Sequence, residues 1–122
     1  EGNYSHYFIS GHSLGGAMAA SYVNSTNKTD GLILFASYST SEIEKPVLSI
    51  YGSEDKVLNM EKYDESLNFI DDNLTEVEID GANHAQFAYY GNQSGDGIAK
   101  ISAQSQQEQS ENAIIKFIES IV

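Results

Sequence analysis

The chain has no cysteine and no arginine, and only 6 of its 122 residues are basic, all of them lysine. Without cysteine, the chain cannot form disulfides, use thiolate catalysis or bind a metal through a cysteine. Without arginine, it has no planar group for bidentate binding of phosphate or guanine. Acidic residues number 18, and the net charge of −12 disfavours nucleic acids and anionic membrane surfaces as partners. A neutral or cationic small molecule is easier to accept.

Long hydrophobic segments are also missing. The longest apolar run covers residues 32–36, whereas a membrane-spanning helix needs about 20 apolar residues. We therefore expect a soluble chain with no membrane span. The composition fits either the cytoplasm or export after removal of a preceding segment, so the compartment stays open. The length fits a single domain.

Apolar segments of two kinds alternate along the chain. Four short ones are typical of β-strands and run from Tyr7 to Ser10, Leu32 to Ser37, Val47 to Tyr51 and Thr75 to Asp80. Helical periodicities, with apolar residues every three or four positions, cover residues 14–22, 60–70 and 114–121. This alternation predicts an α/β protein of three layers, with helices on both faces of a mostly parallel sheet. The link between the second and third strands is too short for a long helix, so we expect an irregular segment there.

The most specific motif is Gly11-His12-Ser13-Leu14-Gly15, a G-x-S-x-G between the first predicted strand and the first predicted helix. Such a turn holds its serine in a strained backbone conformation, and we expect both flanking glycines to be needed to avoid collision. We predict that Ser13 is a nucleophile and that the backbone N–H of Leu14 donates to an oxyanion. The alternative is an ordinary strand-to-helix turn in a glycine-rich protein.

A serine nucleophile needs a base and an orienting carboxylate, and both follow predicted strands. The third strand is followed by Glu54 and Asp55, of which we choose Asp55 as the acid, with Glu54 pointing away. The fourth strand leads into His84, which we predict to be the base. The alternatives are a solvated acidic loop and an exposed loop histidine. We expect His12 to pack or hydrogen-bond beside the nucleophile rather than act as the base.

With these residues assembled, the chain resembles the C-terminal half of an α/β-hydrolase, in particular the subfamily related to dienelactone hydrolases and small carboxylesterases. The resemblance covers nearly the whole chain and is carried by residues 11–16, 46–55 and 81–87, and by Tyr90-Gly91 with Gly95-Asp96-Gly97. It implies a triad of Ser13, Asp55 and His84, one oxyanion donor at the Leu14 amide, and neither a cofactor nor a metal. Dienelactone hydrolases proper carry cysteine as the nucleophile, so a serine there favours the esterase side.

The resemblance also implies parts that residues 1–122 do not contain. A hydrolase of this type has four strands before the elbow, and a loop among them gives the second oxyanion donor. We therefore expect residues 1–122 to be the C-terminal half of a carboxylesterase-like serine hydrolase that works through an acyl-serine. One alternative is a truncated or non-catalytic module that binds a second copy, or the missing N-terminal half, through the edge of the strand from Tyr7 to Ser10. Another is an acyltransferase or peptidase with the same triad.

Overall fold

A computed structural model describes residues 8–24, 29–39, 42–70, 74–88 and 94–121. Its elements are β1 (Phe8–His12), α1 (Leu14–Asn24), β2 (Gly31–Phe35), β3 (Val47–Gly52), α2 (Met60–Ser66) with a 3₁₀ turn at Leu67–Phe69, β4 (Leu74–Ile79), a second 3₁₀ turn at Ala85–Phe87, and α3 (Ala103–Ile121). All strand pairs are parallel, in the order β1-β2-β3-β4. The predicted α/β class is confirmed.

The sheet is covered on both faces, because successive side chains of a strand point to opposite sides. On one face, Leu32 and Leu34 of β2 pack with Ala20 of α1. On the other face, Ile33 of β2 belongs to the cluster that contains Phe117 of α3. The three layers predicted from the sequence are therefore present, with α1 and α3 on opposite sides of the sheet.

The helices differ from the prediction in their bounds. The terminal helix α3 begins at Ala103, about three turns before the apolar periodicity that predicted it. Its buried face continues towards the N-terminus as polar residues, Gln106 and Ser110, which a search for apolar spacing overlooks. The helix predicted over residues 60–70 ends at Ser66 and continues as the 3₁₀ turn Leu67–Phe69.

The link between β2 and β3 is irregular in its described residues, 36–39 and 42–46, as predicted. Strand β1 forms one edge of the described sheet, and Tyr7 lies outside the described residues. Pairing of that edge with a partner therefore stays a prediction. In the part of the chain that the structure describes, no helix combines the length and the apolar character needed to cross a bilayer.

Candidate active site

Ser13 lies at the carboxyl end of β1, between the strand and α1, whose first residue is Leu14. Its φ of 57° is in the left-handed region, a conformation that costs a non-glycine residue about 1–3 kcal/mol and is typical of functional turns. The surrounding structure holds the turn in place. Ser13 N donates to Phe35 O of β2 at 3.1 Å, and Ser37 Oγ donates to Ser13 O at 2.6 Å. The sharp strand-to-helix turn that the motif predicted is present.

The two flanking glycines of the motif do not play equal parts. A Cβ on Gly11 would overlap the backbone carbonyl of Gly15, so a side chain at Gly11 is excluded. A Cβ on Gly15 would meet nothing within 4 Å. The prediction that both glycines prevent a collision is therefore right for Gly11 and wrong for Gly15. Gly15 takes part in the close contact with Gly11 through its backbone carbonyl, and a side chain on Gly15 would not be in the way.

Asp55 and His84 form a buried pair at the carboxyl ends of β3 and β4. Nδ1 of His84 lies 2.8 Å from Oδ2 of Asp55, and both side chains are 1% exposed. The other carboxylate oxygen, Oδ1, accepts the backbone N–H groups of Val57 and Leu58, both at 2.8 Å. Burial alone raises the pKa of Asp55, but the hydrogen bonds from His84, Leu58 and Val57 outweigh it and bring the pKa below the ordinary value. Asp55 is thus held as a carboxylate.

This pairing determines which of the two ring nitrogens of His84 carries the proton. A carboxylate only accepts, so Nδ1 carries the proton and Nε2 of the neutral ring is left as an acceptor. Nε2 is buried and has no hydrogen-bond partner among the described residues. An unpaired buried polar atom is rare and calls for an explanation such as catalysis.

A cleft of about 420 Å³ opens at the carboxyl ends of the strands, and Ser13 and His84 both line it. Its other walls include Ala36, Val57 and Leu58. Ligand sites of open α/β sheets lie at this end of the strands. The structure therefore brings Ser13 and His84 to one cleft, with Asp55 behind the histidine ring.

His12 is the residue beside the pair. A backbone carbonyl only accepts, so His12 Nε2 carries a proton and donates it to His84 O at 3.0 Å. The two imidazole rings lie with their centroids 4.7 Å apart. Burial lowers the pKa of His12, partly offset by the bond to the His84 carbonyl, so His12 is neutral at pH 7. The sequence predicted that His12 packs or hydrogen-bonds beside the nucleophile rather than acting as the base. In the structure, His12 hydrogen-bonds to the backbone of the candidate base, His84.

The family model described as the alpha/beta hydrolase family matches residues 1–108. This chain belongs to the alpha/beta hydrolase family. No curated protein sequence matches it significantly.

Solved structures show the same fold at low sequence identity. A dienelactone hydrolase-like promiscuous phosphotriesterase from metagenomic libraries matches with a TM-score of 0.70 and 13% identity, over 98% of this chain and 54% of that one. A CIB-like hydrolase from Thermoplasma acidophilum matches with a TM-score of 0.61 and 18% identity, over 93% and 49%. A monoacylglycerol lipase from Paleococcus ferrophilus matches with a TM-score of 0.66 and 14% identity, over 97% and 70%. This chain thus spans about half the length of the first two.

Three other sequence predictions concern Glu54, the Tyr90-Gly91 pair and metal binding. Glu54 Oε2 lies 3.5 Å from Lys100 Nζ, whereas Asp55, the acid chosen from the sequence, is the carboxylate that meets His84 Nδ1. Tyr90 and Gly91, which carried part of the resemblance, lie outside the described residues. Among the described residues, no group of three or more histidine, aspartate or glutamate side chains could hold a metal ion.

Sequence reasoning missed two side chains that bind the backbone around His84. Gln106 of α3 is fully buried; its Oε1 accepts Asn83 N at 3.3 Å and its Nε2 donates to Asn83 O at 2.9 Å. Asp96 accepts the N–H groups of His84 and Ala85 at 3.2 and 2.9 Å. The sequence contained one indication that Gln106 is buried. Gln106 lies three helical turns before Phe117 and therefore on the same face of α3.

Proposed function

We propose that this chain carries the nucleophile, acid and base of a serine hydrolase that cleaves small carboxylic esters through an acyl-serine intermediate. The observation that carries the proposal is the buried Asp55–His84 pair at 2.8 Å behind a cleft that Ser13 lines. The unpaired Nε2 of His84 supports it, because a general base needs a free lone pair on the substrate side.

Acylation begins when Ser13 Oγ attacks the carbonyl carbon of the ester and His84 Nε2 takes the hydroxyl proton. Asp55 keeps the proton on Nδ1 and stabilises the imidazolium that forms. The tetrahedral intermediate collapses as the C–O bond to the alcohol breaks, and His84 returns the proton to the leaving alkoxide. Water then attacks the acyl-serine with His84 again as the base, which releases the carboxylic acid and restores Ser13. Hydrogen bonds of this kind often tighten only when substrate binds.

The backbone N–H of Leu14 supplies one oxyanion donor. Leu14 is the first residue of α1, and the first amides of a helix have no acceptor within that helix. The N-terminal end of a helix also carries partial positive charge, which favours a developing anion. One such donor accounts for about 2.7–4 kcal/mol of transition-state stabilisation.

The walls of the cleft favour a neutral acyl group of small size. Ala36, Val57 and Leu58 contribute apolar surface, and the volume of about 420 Å³ suits a small organic ligand. The monoacylglycerol lipase from Paleococcus ferrophilus, which has the same fold, supports ester chemistry.

A fluorophosphonate probe with mass detection tests the proposal. Ser13 Oγ bonds to phosphorus as the P–F bond breaks, the proton passes to His84 and fluoride leaves. We expect one adduct per chain, mapped to Ser13, and none on Ser13→Ala. The matched control is Ser105→Ala, on the first turn of α3 and away from the cleft, which should label like the wild type. No adduct on the wild type, or an equal adduct on Ser13→Ala, would reject the nucleophile and leave a non-catalytic module.

A further inference from the structure

Asp96 lies between α3 and the loop that carries His84 (residues 80–88, the histidine loop). Its carboxylate accepts backbone N–H groups from this loop and from the loop that carries Asp55 (residues 53–58, the acid loop). Oδ2 accepts Ala85 N at 2.9 Å. Oδ1 accepts His84 N at 3.2 Å and Gly97 N at 2.8 Å. It also accepts the N–H of Lys56, the neighbour of Asp55, at 3.4 Å. One side chain therefore contacts the backbone of the base and the backbone next to the acid.

The residue after Asp96 reinforces this connection. Gly97 O accepts Asn83 Nδ2 at 3.0 Å, which ties the segment to the histidine loop a second time. A Cβ on Gly97 would overlap the carbonyl oxygen of Glu54, so the segment lies directly against the acid loop. Asp96 and Gly97 thus lie between the two loops whose side chains form the 2.8 Å pair.

The remaining backbone groups near His84 are bound by other elements. His12 from β1 donates to His84 O, and Gln106 from α3 binds both N and O of Asn83. Asp96 accepts the N–H of Lys56 in addition to those of His84 and Ala85. Asp96 is therefore well placed to set the distance between base and acid.

We propose that Asp96 is a positioning residue, which fixes the His84 backbone so that Nδ1 meets Asp55 while Nε2 faces the cleft. This inference rests on the proposed function for its kinetic consequence, but its structural consequence, the Asp55–His84 contact, can be measured without any activity. Asp96 does not touch the reacting atoms and acts through His84.

Asp96→Asn in the full chain is the primary test. Asparagine keeps the shape of the side chain but replaces one acceptor oxygen with an NH₂ group, which cannot accept an N–H. Either Ala85 N or His84 N therefore loses its acceptor. Because a displacement of about 1 Å in a catalytic group can slow a reaction by about 100-fold, we expect the fluorophosphonate labelling rate to fall about 10- to 100-fold. The final extent of labelling should stay at one adduct per chain.

The matched control is Asp80→Asn. Asp80 is an exposed aspartate at the same end of the sheet, and its described bond is to Ser53 Oγ at 3.4 Å. Its labelling rate should stay within twofold of the wild type. A merely structural role for Asp96 would lower the labelled fraction, because some chains would be unfolded, and leave the rate of the folded chains unchanged.

Proton NMR gives the readout that needs no activity. An Nδ1 proton held by a buried carboxylate resonates far downfield of the amides, and its assignment is checked by its loss in His84→Ala. We expect this resonance in the wild type and in Asp80→Asn, and an upfield shift or exchange broadening in Asp96→Asn. An unchanged resonance together with a wild-type labelling rate would overturn the positioning role.

The two proposals fail in different ways. If the wild type does not label but its downfield proton moves in Asp96→Asn, the proposed function is wrong and the positioning of His84 stands. If Asp96→Asn does not fold, Asp96→Glu keeps both acceptor oxygens on a longer side chain and should label more slowly than the wild type at full stoichiometry. Wild-type labelling by Asp96→Glu, with an unmoved proton, would then reject the role of Asp96.

Discussion

The elbow around Ser13 and the loop around His84 lie on the same cleft but are held in place differently. The elbow is specified mainly by its own backbone: a strained φ at Ser13, a glycine at Gly11 and the start of α1 one residue later. Two hydrogen bonds from outside the motif, to Phe35 O and from Ser37 Oγ, also hold it. The histidine loop is held by side chains from distant parts of the chain, His12, Asp96 and Gln106.

This difference shows where substitutions should act. The elbow depends mainly on backbone conformation, so replacements that change the space or flexibility of its few residues should disturb it most, and Ser37 is the side chain outside the motif that the described bonds place on it. The histidine loop depends on hydrogen bonds to polar side chains, so changes at Asp96 or Gln106, which lie 12 and 22 residues after His84, should disturb it too. The predictions below test this contrast, from the largest effect to the smallest.

Removal of either reacting side chain should have the same large effect, because both regions serve one reaction. Ser13→Ala and His84→Ala should each lower hydrolysis of a p-nitrophenyl ester by about 10⁶-fold, and the double variant should be no slower. Steady-state rates at pH 7.5 measure this. Additive losses in the double variant would mean that the two residues do not act as one unit.

Gly11→Ala and Gly15→Ala should separate the two glycines of the elbow. The Cβ at Gly11 meets the Gly15 carbonyl, so we expect a loss of about 1–3 kcal/mol in the free energy of unfolding and a much slower labelling of Ser13. The Cβ at Gly15 faces open space within a helix, where alanine is favoured over glycine by up to about 1 kcal/mol. Urea unfolding compares them, and equal damage from both changes would contradict the structure.

Gln106→Leu tests the distant support of the histidine loop. The change leaves the N and O of Asn83 without their partner, and each buried unpaired group costs about 1–3 kcal/mol. Gln109→Leu, at an exposed position of the same helix, is the matched control and should stay within about 0.5 kcal/mol of the wild type. Similar unfolding midpoints in urea for the two variants would mean that Gln106 contributes nothing specific.

His12→Gln should produce the smallest effect, in the pH dependence of stability. Burial lowers the pKa of His12 below 6.5 in the folded chain, so below pH 6.5 the unfolded chain binds more protons at this position. The stability from the neutral side chain is therefore present above about pH 6.5 and is lost as the pH falls towards the lower folded pKa. Glutamine does not titrate and keeps an N–H donor.

Urea unfolding at pH 7.5 and 5.5 measures this difference. The wild type should lose more stability between the two pH values than His12→Gln does. A steeper loss in the variant would show that the sign of the pKa shift is reversed.

The sequence was enough to predict the four strands, the elbow and the candidate residues Ser13, Asp55 and His84. Each of these three follows a short apolar segment directly, and parallel strands bring their carboxyl ends to one edge, so local patterns were sufficient. The catalytic roles stay predictions until the labelling experiment is done.

The supports of the histidine loop could not be predicted in the same way. Gly95-Asp96-Gly97 carried part of the resemblance but indicated no role for Asp96, and Gln106 lies in a run of polar residues, a pattern typical of solvated surface. Their partners are backbone N–H and C=O groups, which leave no trace in the sequence. The start of α3 at Ala103 was missed for the same reason, since the helix is buried there through polar side chains.

The order of the site residues along the chain has a consequence for synthesis on the ribosome. Ser13 and Asp55 emerge first and His84 later, but Asp96 and Gln106, which bind the backbone of the histidine loop, emerge after all three. Since folding during synthesis proceeds from the N-terminus, a nascent chain would expose its serine well before the base is seated. With the proposed function, such a chain would acquire hydrolytic activity only after α3 has been synthesised and has docked on the sheet.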